Sequence, residues 1–148
     1  MPTTIHAFVE YDDAVLYAAE SACERPFARP TDRVMDFTSY IALSHGKDYD
    51  FFAAIAGFRN RSGIPPLYGP RGLPPGVNAQ VGEYLDKYFA QDWVGLGWLT
   101  LTEIEAALRH MGLSRDRLSL AVRVVLGCME LLVGELGNER VRLVFAVD

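Results

Sequence analysis

The organisation of this chain is decided by residues 47–102, which read KDYDFFAAIAGFRNRSGIPPLYGPRGLPPGVNAQVGEYLDKYFAQDWVGLGWLTLT. Apolar residues at helical spacing predict one helix that begins near Asp48 and ends near Gly57, and a second helix over residues 77–89. Between the two helices, residues 60–76 hold prolines, which lack a backbone donor, and glycines, which permit unusual dihedral angles. We therefore expect a long loop without regular structure between two helices.

This loop has the composition of a binding segment. A loop of such length in a small domain is usually functional or disordered, and apolar anchors at Leu67, Tyr68 and Leu73 favour an ordered loop. The helix after the loop is followed by a predicted turn over residues 91–97. Residues 98–101, WLTL, then suit either a short strand or the approach to a helix.

Both ends of the chain have strand patterns. Residues 5–11, IHAFVEY, alternate apolar and polar positions, two aspartates mark a turn, and residues 14–18 resume the pattern, which predicts a β-hairpin. A short strand is also predicted over residues 33–37. Residues 141–147, VRLVFAV, predict a last strand, which we expect to pair with the N-terminal hairpin.

Two further helices are predicted before the last strand. Thr102 begins a T-E-I-E capping box with Glu105, in a helix that ends at Gly112. Ser114 is a candidate N-cap for the next helix, which we extend to about Gly134 or Leu136. That helix is apolar nearly all round, apart from a stripe of small and charged residues, so we expect it in the centre of the fold. Its charged residues argue against a membrane-spanning helix.

These elements predict an α+β fold, in which an N-terminal β-hairpin and a C-terminal strand form a mostly antiparallel sheet packed against about four helices on one face. We expect a single globular domain over residues 1–148. The net charge of −5 argues against generic DNA or RNA binding. Cys23 and Cys128 have no metal-ligand spacing and no secretion signal precedes them, which indicates reduced thiols in a cytoplasm.

Three classes of side chain in and around the loop suit a ligand with phosphates and a flat base. Arginines give forked donors to phosphate oxygens, aromatic rings stack on a base, and carboxylates accept from ribose hydroxyls. The candidate ligand-binding residues are Arg59, Arg61, Arg71, Tyr68, Trp93, Trp98, Asp48 and Asp92.

Each candidate also has a structural interpretation. Arginines in such loops commonly pair with nearby acids or backbone carbonyls. Trp98 beside Leu99 also suits a core position, and Asp48 also suits a helix N-terminus. The alternatives differ in whether these side chains face a ligand or the protein itself.

Catalytic motifs are not apparent in the sequence. His6, His45 and His110 have no zinc-binding spacing, and no glycine-rich segment ends in Gly-Lys-Ser/Thr. We therefore predict no catalytic residues, no metal site and no cofactor. A hydrolase stays an alternative, because folding could bring His45 close to Asp48 and Asp50.

Four segments in order carry a resemblance to a known family: DYDFFAAIAGFRN, the P-R-G-L-P box at residues 70–74, WLTLTE at residues 98–103, and the closing VRLVFAVD. Together they resemble a family of small tailed-bacteriophage proteins. Members of that family often carry H-S-H-S-W directly before L-T-L. This chain has Val94 and Leu96 in place of the two histidines, so a metal or acid–base role of those histidines does not carry over.

The resemblance implies a phage protein that acts in the cytoplasm of an infected bacterium. Small phage proteins neutralise host defences, and one mechanism is a sponge that binds an immune nucleotide signal without cleaving it. We therefore expect a non-catalytic binder of a cyclic nucleotide or an ADP-ribose derivative. A homodimer or larger homo-oligomer is also expected, because subunits that share a pocket would hold a small ligand tightly.

A second interpretation is a protein-binding inhibitor or regulator of a host protein. Such a protein needs an exposed aromatic patch, which the second helix of the central stretch and the turn after it could supply. The aromatic residues concerned are Tyr84, Tyr88, Phe89 and Trp93.

Overall fold

A computed structural model describes residues 5–13, 25–38, 41, 46–58, 60, 62–89 and 94–147 of the protein. The strands are β1 (Ile5–Tyr11), β2 (Val34–Asp36), β3 (Val94–Leu99) and β4 (Val141–Val147). The helices are α1 (Gly46–Ala56), α2 (Ala79–Phe89), α3 (Leu101–His110) and α4 (Leu120–Leu136). The predicted α+β class, with the terminal strands in an antiparallel sheet and four helices, is confirmed.

The four strands form one antiparallel sheet in the order β2-β1-β4-β3. The first and last strands pair along their full length, from Ile5 opposite Val147 to Tyr11 opposite Val141, as the sequence predicts. The short strand predicted near residue 35 is β2, which pairs with β1 at the edge of the sheet. The predicted hairpin strand over residues 14–18 lies outside the described residues.

Strand β3 corrects the prediction of a turn over residues 91–97. The strand begins at Val94 and pairs with β4, with a shift of register between Val94 and Gly97. The glycines that indicate a turn are required here by the sheet. Gly95 adopts a φ of +79° at the register shift, and a Cβ at Gly97 would lie 3.2 Å from the Phe145 ring.

Both faces of the sheet are covered, so the prediction that the helices pack on one face is wrong. Side chains alternate across β4, and Leu143 and Phe145 pack with α1, α3 and α4 in the larger apolar cluster. Val144 and Ala146 pack on the opposite face, where α2 contributes the second cluster. The alternation of IHAFVEY is therefore an alternation between two buried faces, and all of its first six residues are buried.

The capping box of α3 lies two residues before the predicted position. Thr100 Oγ1 accepts from the Glu103 backbone N–H (3.3 Å), and Glu103 Oε1 accepts from the Thr100 backbone N–H (3.1 Å). Thr102 instead donates through Oγ1 to Asn138 Oδ1 (2.8 Å). Both threonines are followed three residues later by a glutamate. Because β3 ends at Leu99, the chain turns into the helix at Thr100.

Helix α4 begins and packs differently from the prediction. Ser114 precedes a short 3-10 turn, and Ser119 is the N-cap, whose Oγ accepts from the Val122 backbone N–H (3.3 Å). One face of α4 is buried against the core, but Leu120 and Leu131 on the other face are 66% and 71% exposed. The helix therefore lies on the outside of the fold. No helix among the described residues is both long enough and apolar enough to span a bilayer.

Candidate functional site

The loop between α1 and α2 is ordered over its described part. Asn60 Oδ1 accepts from the Ser62 backbone N–H (3.1 Å), which forms a tight turn at the start of the loop. His110 Nε2, at the end of α3, donates to the Pro65 carbonyl (3.0 Å). Tyr68 is half-buried against the larger apolar cluster. These contacts hold the loop against α3, and the part of the loop that contains Arg71 lies beside β3.

Three predicted ligand-binding residues meet at this point and form the Tyr68–Arg71–Trp98 cluster. The Arg71 guanidinium carbon lies 4.9 Å from the centre of the Tyr68 ring and 4.9 Å from the centre of the Trp98 ring. Arg71 Nη1 also lies 3.4 Å from the Trp98 carbonyl, to which it donates. Loop and strand residues 27 positions apart in sequence thus bring one cation and two aromatic rings together.

Glu103 completes the environment of Arg71. Arg71 Nη1 donates to Glu103 Oε1 (2.9 Å), and Arg71 Nη2 donates to Glu103 Oε2, which makes a bidentate ion pair. The hydrogen bond that Arg71 donates to Glu103 raises the pKa of Arg71, against the opposing effect of burial. Partial burial acts to raise the pKa of Glu103, but hydrogen bonds from Arg71 and Thr100 outweigh it and hold that pKa below its ordinary value.

This ion pair matches the structural interpretation of Arg71, which is pairing with a nearby acid. A ligand phosphate that takes the Nη1 and Nη2 donors of Arg71 therefore replaces the Glu103 carboxylate. The surface depression lined by Pro70 and Trp98 has a volume of only about 10 Å³. A ligand here would lie on the surface of the cluster and not inside a cavity.

The side chains of the other five predicted site residues lie outside the described part of the structure. Asp48 lies in the first turn of α1, and its side chain is outside the described part of the chain. The remaining four also lie outside the described residues: Arg59, Arg61, Asp92 and Trp93. The structure thus brings together the three candidates whose side chains it describes.

A second arginine lies on the α2 side of the sheet, near Trp98, and sequence reasoning missed it. The Arg142 guanidinium carbon is 5.7 Å from the centre of the Trp98 ring and 3.5 Å from the centre of the Phe27 ring. Arg142 donates through Nε (3.0 Å) and Nη2 (2.8 Å) to Glu10 Oε1, in a pair that is buried at both ends. Burial lowers the pKa of Arg142, and the charge of Glu10 opposes that effect.

Glu10 also connects the sheet to α2. Its Oε2 accepts from the backbone N–H of Asn78 (2.9 Å), whose Oδ1 caps α2 and whose Nδ2 donates to the Thr31 carbonyl (2.8 Å). The backbone N–H of Thr31 in turn donates to the Gly76 carbonyl (3.3 Å). A sequence signal existed, since Glu10 and Arg142 are charged residues inside two apolar strand patterns.

A groove between β2 and α2 has a volume of about 340 Å³. Phe8, Val34, Val81 and Tyr84 form its apolar part, and Asp36 lies at its polar side. The groove lies near β2 and the cluster near β3, which are the two opposite edge strands of the sheet. An acidic residue without a described basic residue in the lining makes this groove a poor site for a phosphate.

The aromatic patch expected for a protein-binding inhibitor is only partly described. Tyr84 is half-buried, with its Oη hydrogen-bonded to His6 Nδ1 (2.9 Å) and its ring packed edge-on against Phe8 at 6.2 Å. The side chains of Tyr88 and Phe89 lie outside the described part of the structure. Tyr84 therefore faces the sheet and the groove.

Among the described residues, no group of three or more His, Cys, Asp or Glu side chains could hold a metal ion. The Cys128 thiol is free and half-buried. No protein-family model, curated protein or solved structure matches this chain. The resemblance to small phage proteins therefore stays a prediction from the sequence, and the function is argued from the cluster.

Proposed function

We propose that the protein is a non-catalytic binding protein that sequesters a small nucleotide-derived ligand at the Tyr68–Arg71–Trp98 cluster. The observation that carries the proposal is the position of the Arg71 guanidinium, 4.9 Å from the centres of two aromatic rings. An arginine offers a planar fork to phosphate oxygens, and rings beside it offer a stacking surface to a base. A nucleotide carries both a phosphate and a base, so its binding uses both the arginine and the aromatic rings.

The ion pair between Arg71 and Glu103 makes such binding an exchange reaction. When a phosphate takes the guanidinium, Glu103 keeps the hydrogen bonds of the capping box, from the Thr100 backbone N–H (3.1 Å) and Thr100 Oγ1 (3.2 Å). The carboxylate is therefore not left without donors. This lowers the free-energy cost of releasing Arg71 to a ligand.

The resemblance to phage proteins supports a role for this sequestration in countering a host defence. A protein that removes an immune nucleotide signal from the cytoplasm of an infected bacterium would counter a host defence without any chemistry. Cyclic nucleotides and ADP-ribose derivatives both combine phosphates with a base, so both suit the cluster. Arg59, Arg61, Asp48, Asp92 and Trp93 are the further residues proposed to contact the ligand.

The test is calorimetric titration of the protein with a panel of cyclic dinucleotides and ADP-ribose derivatives. Arg71→Ala is expected to weaken binding of the recognised ligand by about 1.5 to 3 kcal/mol, which is roughly 10-fold to 150-fold in Kd. Tyr84→Phe is the matched control, because it changes the distant groove and is expected to leave Kd unchanged.

Glu103→Gln gives a test with the opposite sign. Glutamine keeps an amide oxygen for the capping box but removes the charge that neutralises Arg71, so binding of an anionic ligand is expected to become tighter. Equal affinity in the wild type, Arg71→Ala and Glu103→Gln would reject the cluster as the site. Mass spectrometry of the released ligand must return it intact, since an altered ligand would make the protein an enzyme.

A further inference from the structure

Helix α4 carries its exposed apolar side chains in one line. Leu120 is 66%, Val124 is 37% and Leu131 is 71% exposed. Together with Gly127 and Gly134 they follow one another at alternating intervals of four and three residues, which is the spacing of a seam between two packed helices. The opposite side of the same helix packs on the core. Helix α4 is therefore apolar on two sides, and only one of them is covered by described residues.

The two glycines in this line have no role in the packing of the described chain. A Cβ atom added at Gly127 or Gly134 would meet no heavy atom of the described residues within 4 Å. Glycine inside a helix is destabilising relative to alanine, because its backbone loses more conformational freedom on folding. A glycine such as Gly127 on an exposed helix face is accounted for if a second chain approaches that face closely.

We propose that this face of α4 is the interface of a homodimer, in which the α4 helices of two copies pack antiparallel about a two-fold axis. In this register Leu120 lies opposite the partner's Leu131, and Val124 lies opposite the partner's Gly127. The valine side chain fills the space above the glycine, and a leucine pair closes each end of the contact. Because of the two-fold symmetry, every contact occurs twice in the dimer.

Charged residues beside the apolar line select the antiparallel orientation. Arg123 and Glu130 lie on the same flank, seven residues apart, and the two-fold axis brings Arg123 close to the partner's Glu130. Glu130 also pairs with Arg115 of its own chain, but its side chain is 49% exposed and can accept a second donor. Two symmetric ion pairs would thus flank the apolar contact.

A parallel arrangement of the same faces fits less well. It would bring Glu130 beside the partner's Glu135, which places like charges together, and it would set glycine opposite glycine. Only the antiparallel register matches a large residue to a small one and a cation to an anion. Because both halves of each match come from the same helix face, the occupant is a second copy of this chain.

The oligomeric state of the full chain tests the proposal. Sedimentation velocity over a range of concentrations is expected to show the wild type passing from monomer to dimer. Leu131→Glu is expected to raise the dimer dissociation constant by at least about tenfold, because the carboxylate would be buried against leucine. Ile64→Glu is the matched control, since Ile64 is also an exposed aliphatic residue, at 39%, but lies in the loop.

A charge exchange tests the orientation. Arg123→Glu and Glu130→Arg are each expected to weaken the dimer, and a mixture of the two variants is expected to restore association, because both cross-dimer pairs are re-formed in the heterodimer. Each chain keeps the same contacts with its own Arg115 in the mixture as alone, so the comparison isolates the cross-dimer pairs. Circular dichroism checks that each variant is folded. A wild type that stays monomeric up to about 100 μM, where a contact with a Kd of that order would already be populated, would overturn the proposal. A mixture that associates no more tightly than the separate variants would overturn the antiparallel register.

Discussion

Glu10 and Arg142 are the charged side chains that are most completely removed from water among the described residues, at 0% and 2% exposure. They lie directly opposite each other in the pairing of β1 with β4, so the sheet itself sets their distance. The Phe27 ring covers the guanidinium, and Asn78 supplies a further donor to the carboxylate. Their position on the α2 side of the sheet makes them a fixed link between the two terminal strands and the start of α2.

Removal of one member of this pair is expected to destabilise the protein strongly. Glu10→Ala leaves the Arg142 guanidinium buried without its carboxylate, and we expect a loss of about 3 to 5 kcal/mol in the free energy of unfolding. Glu10→Leu combined with Arg142→Met removes both charges and should recover much of that loss. Urea denaturation measures each value. A double variant as unstable as Glu10→Ala would contradict this account of the pair.

The residue scale also shows where sequence reasoning about the site was limited. The composition of the loop and the WLTL segment at residues 98–101 indicate Tyr68, Arg71 and Trp98 as ligand-binding candidates. The fold brings these three residues together. The acid that pairs with Arg71 was not selected, because Glu103 is 32 residues away in sequence. Ion-pair partners across such distances are set by how elements pack, and a single sequence carries no signal for them.

At the scale of elements, the start of α3 shows how one motif can fit two positions. Thr100-x-x-Glu103 and Thr102-x-x-Glu105 both satisfy a capping box in the sequence. The structure uses the first, because the hydrogen bonds of β3 to β4 continue to Leu99 and leave Thr100 with extended dihedral angles. An N-cap residue needs that conformation, and a residue already inside the helix cannot adopt it.

Alanine substitution at the two threonines distinguishes these positions by stability. Thr100→Ala removes the cap and is expected to lower the free energy of unfolding by about 1 kcal/mol. Thr102→Ala removes only an exposed hydrogen bond to Asn138 and is expected to cost less. Thermal or urea unfolding gives both values under identical conditions. If Thr102→Ala proves the more damaging substitution, the helix starts where the sequence alone predicts.

At the scale of the whole molecule, one sheet separates two apolar clusters of unequal size. Three helices cover one face and α2 covers the other, and the link from Glu10 through Asn78 to Thr31 fastens the second layer. At Gly76 the chain passes so close to this layer that an added Cβ would lie 2.2 Å from the Phe27 carbonyl. Helix α4 presents its line of exposed apolar side chains outwards, and no described residue covers that line. The proposed dimer would therefore form between complete folded chains.

Self-association predicts that thermal stability depends on protein concentration. Because a dimer of folded chains is favoured by mass action, the wild-type Tm is expected to rise as the concentration is raised, while the Tm of Leu131→Glu stays nearly constant. Differential scanning fluorimetry over a roughly 100-fold range of protein concentration provides the measurement. By mass action, that range changes the stabilisation of the folded chain by dimerisation by up to about 2.7 kcal/mol. If the Tm values of the wild type and of Leu131→Glu depend on concentration in the same way, association through α4 is contradicted.

The sequence by itself determined the α+β class, the last strand and its pairing with the first, and the loop that contributes to the cluster. Periodicity and turn chemistry are local properties, so they are readable within about ten residues along the chain. The tertiary structure alone decided that helices cover both faces of the sheet, that β3 runs through glycines, and that Glu103 and Glu10 hold the two arginines. Burial and ion pairing join residues distant in sequence, and only the packed fold sets which of them meet.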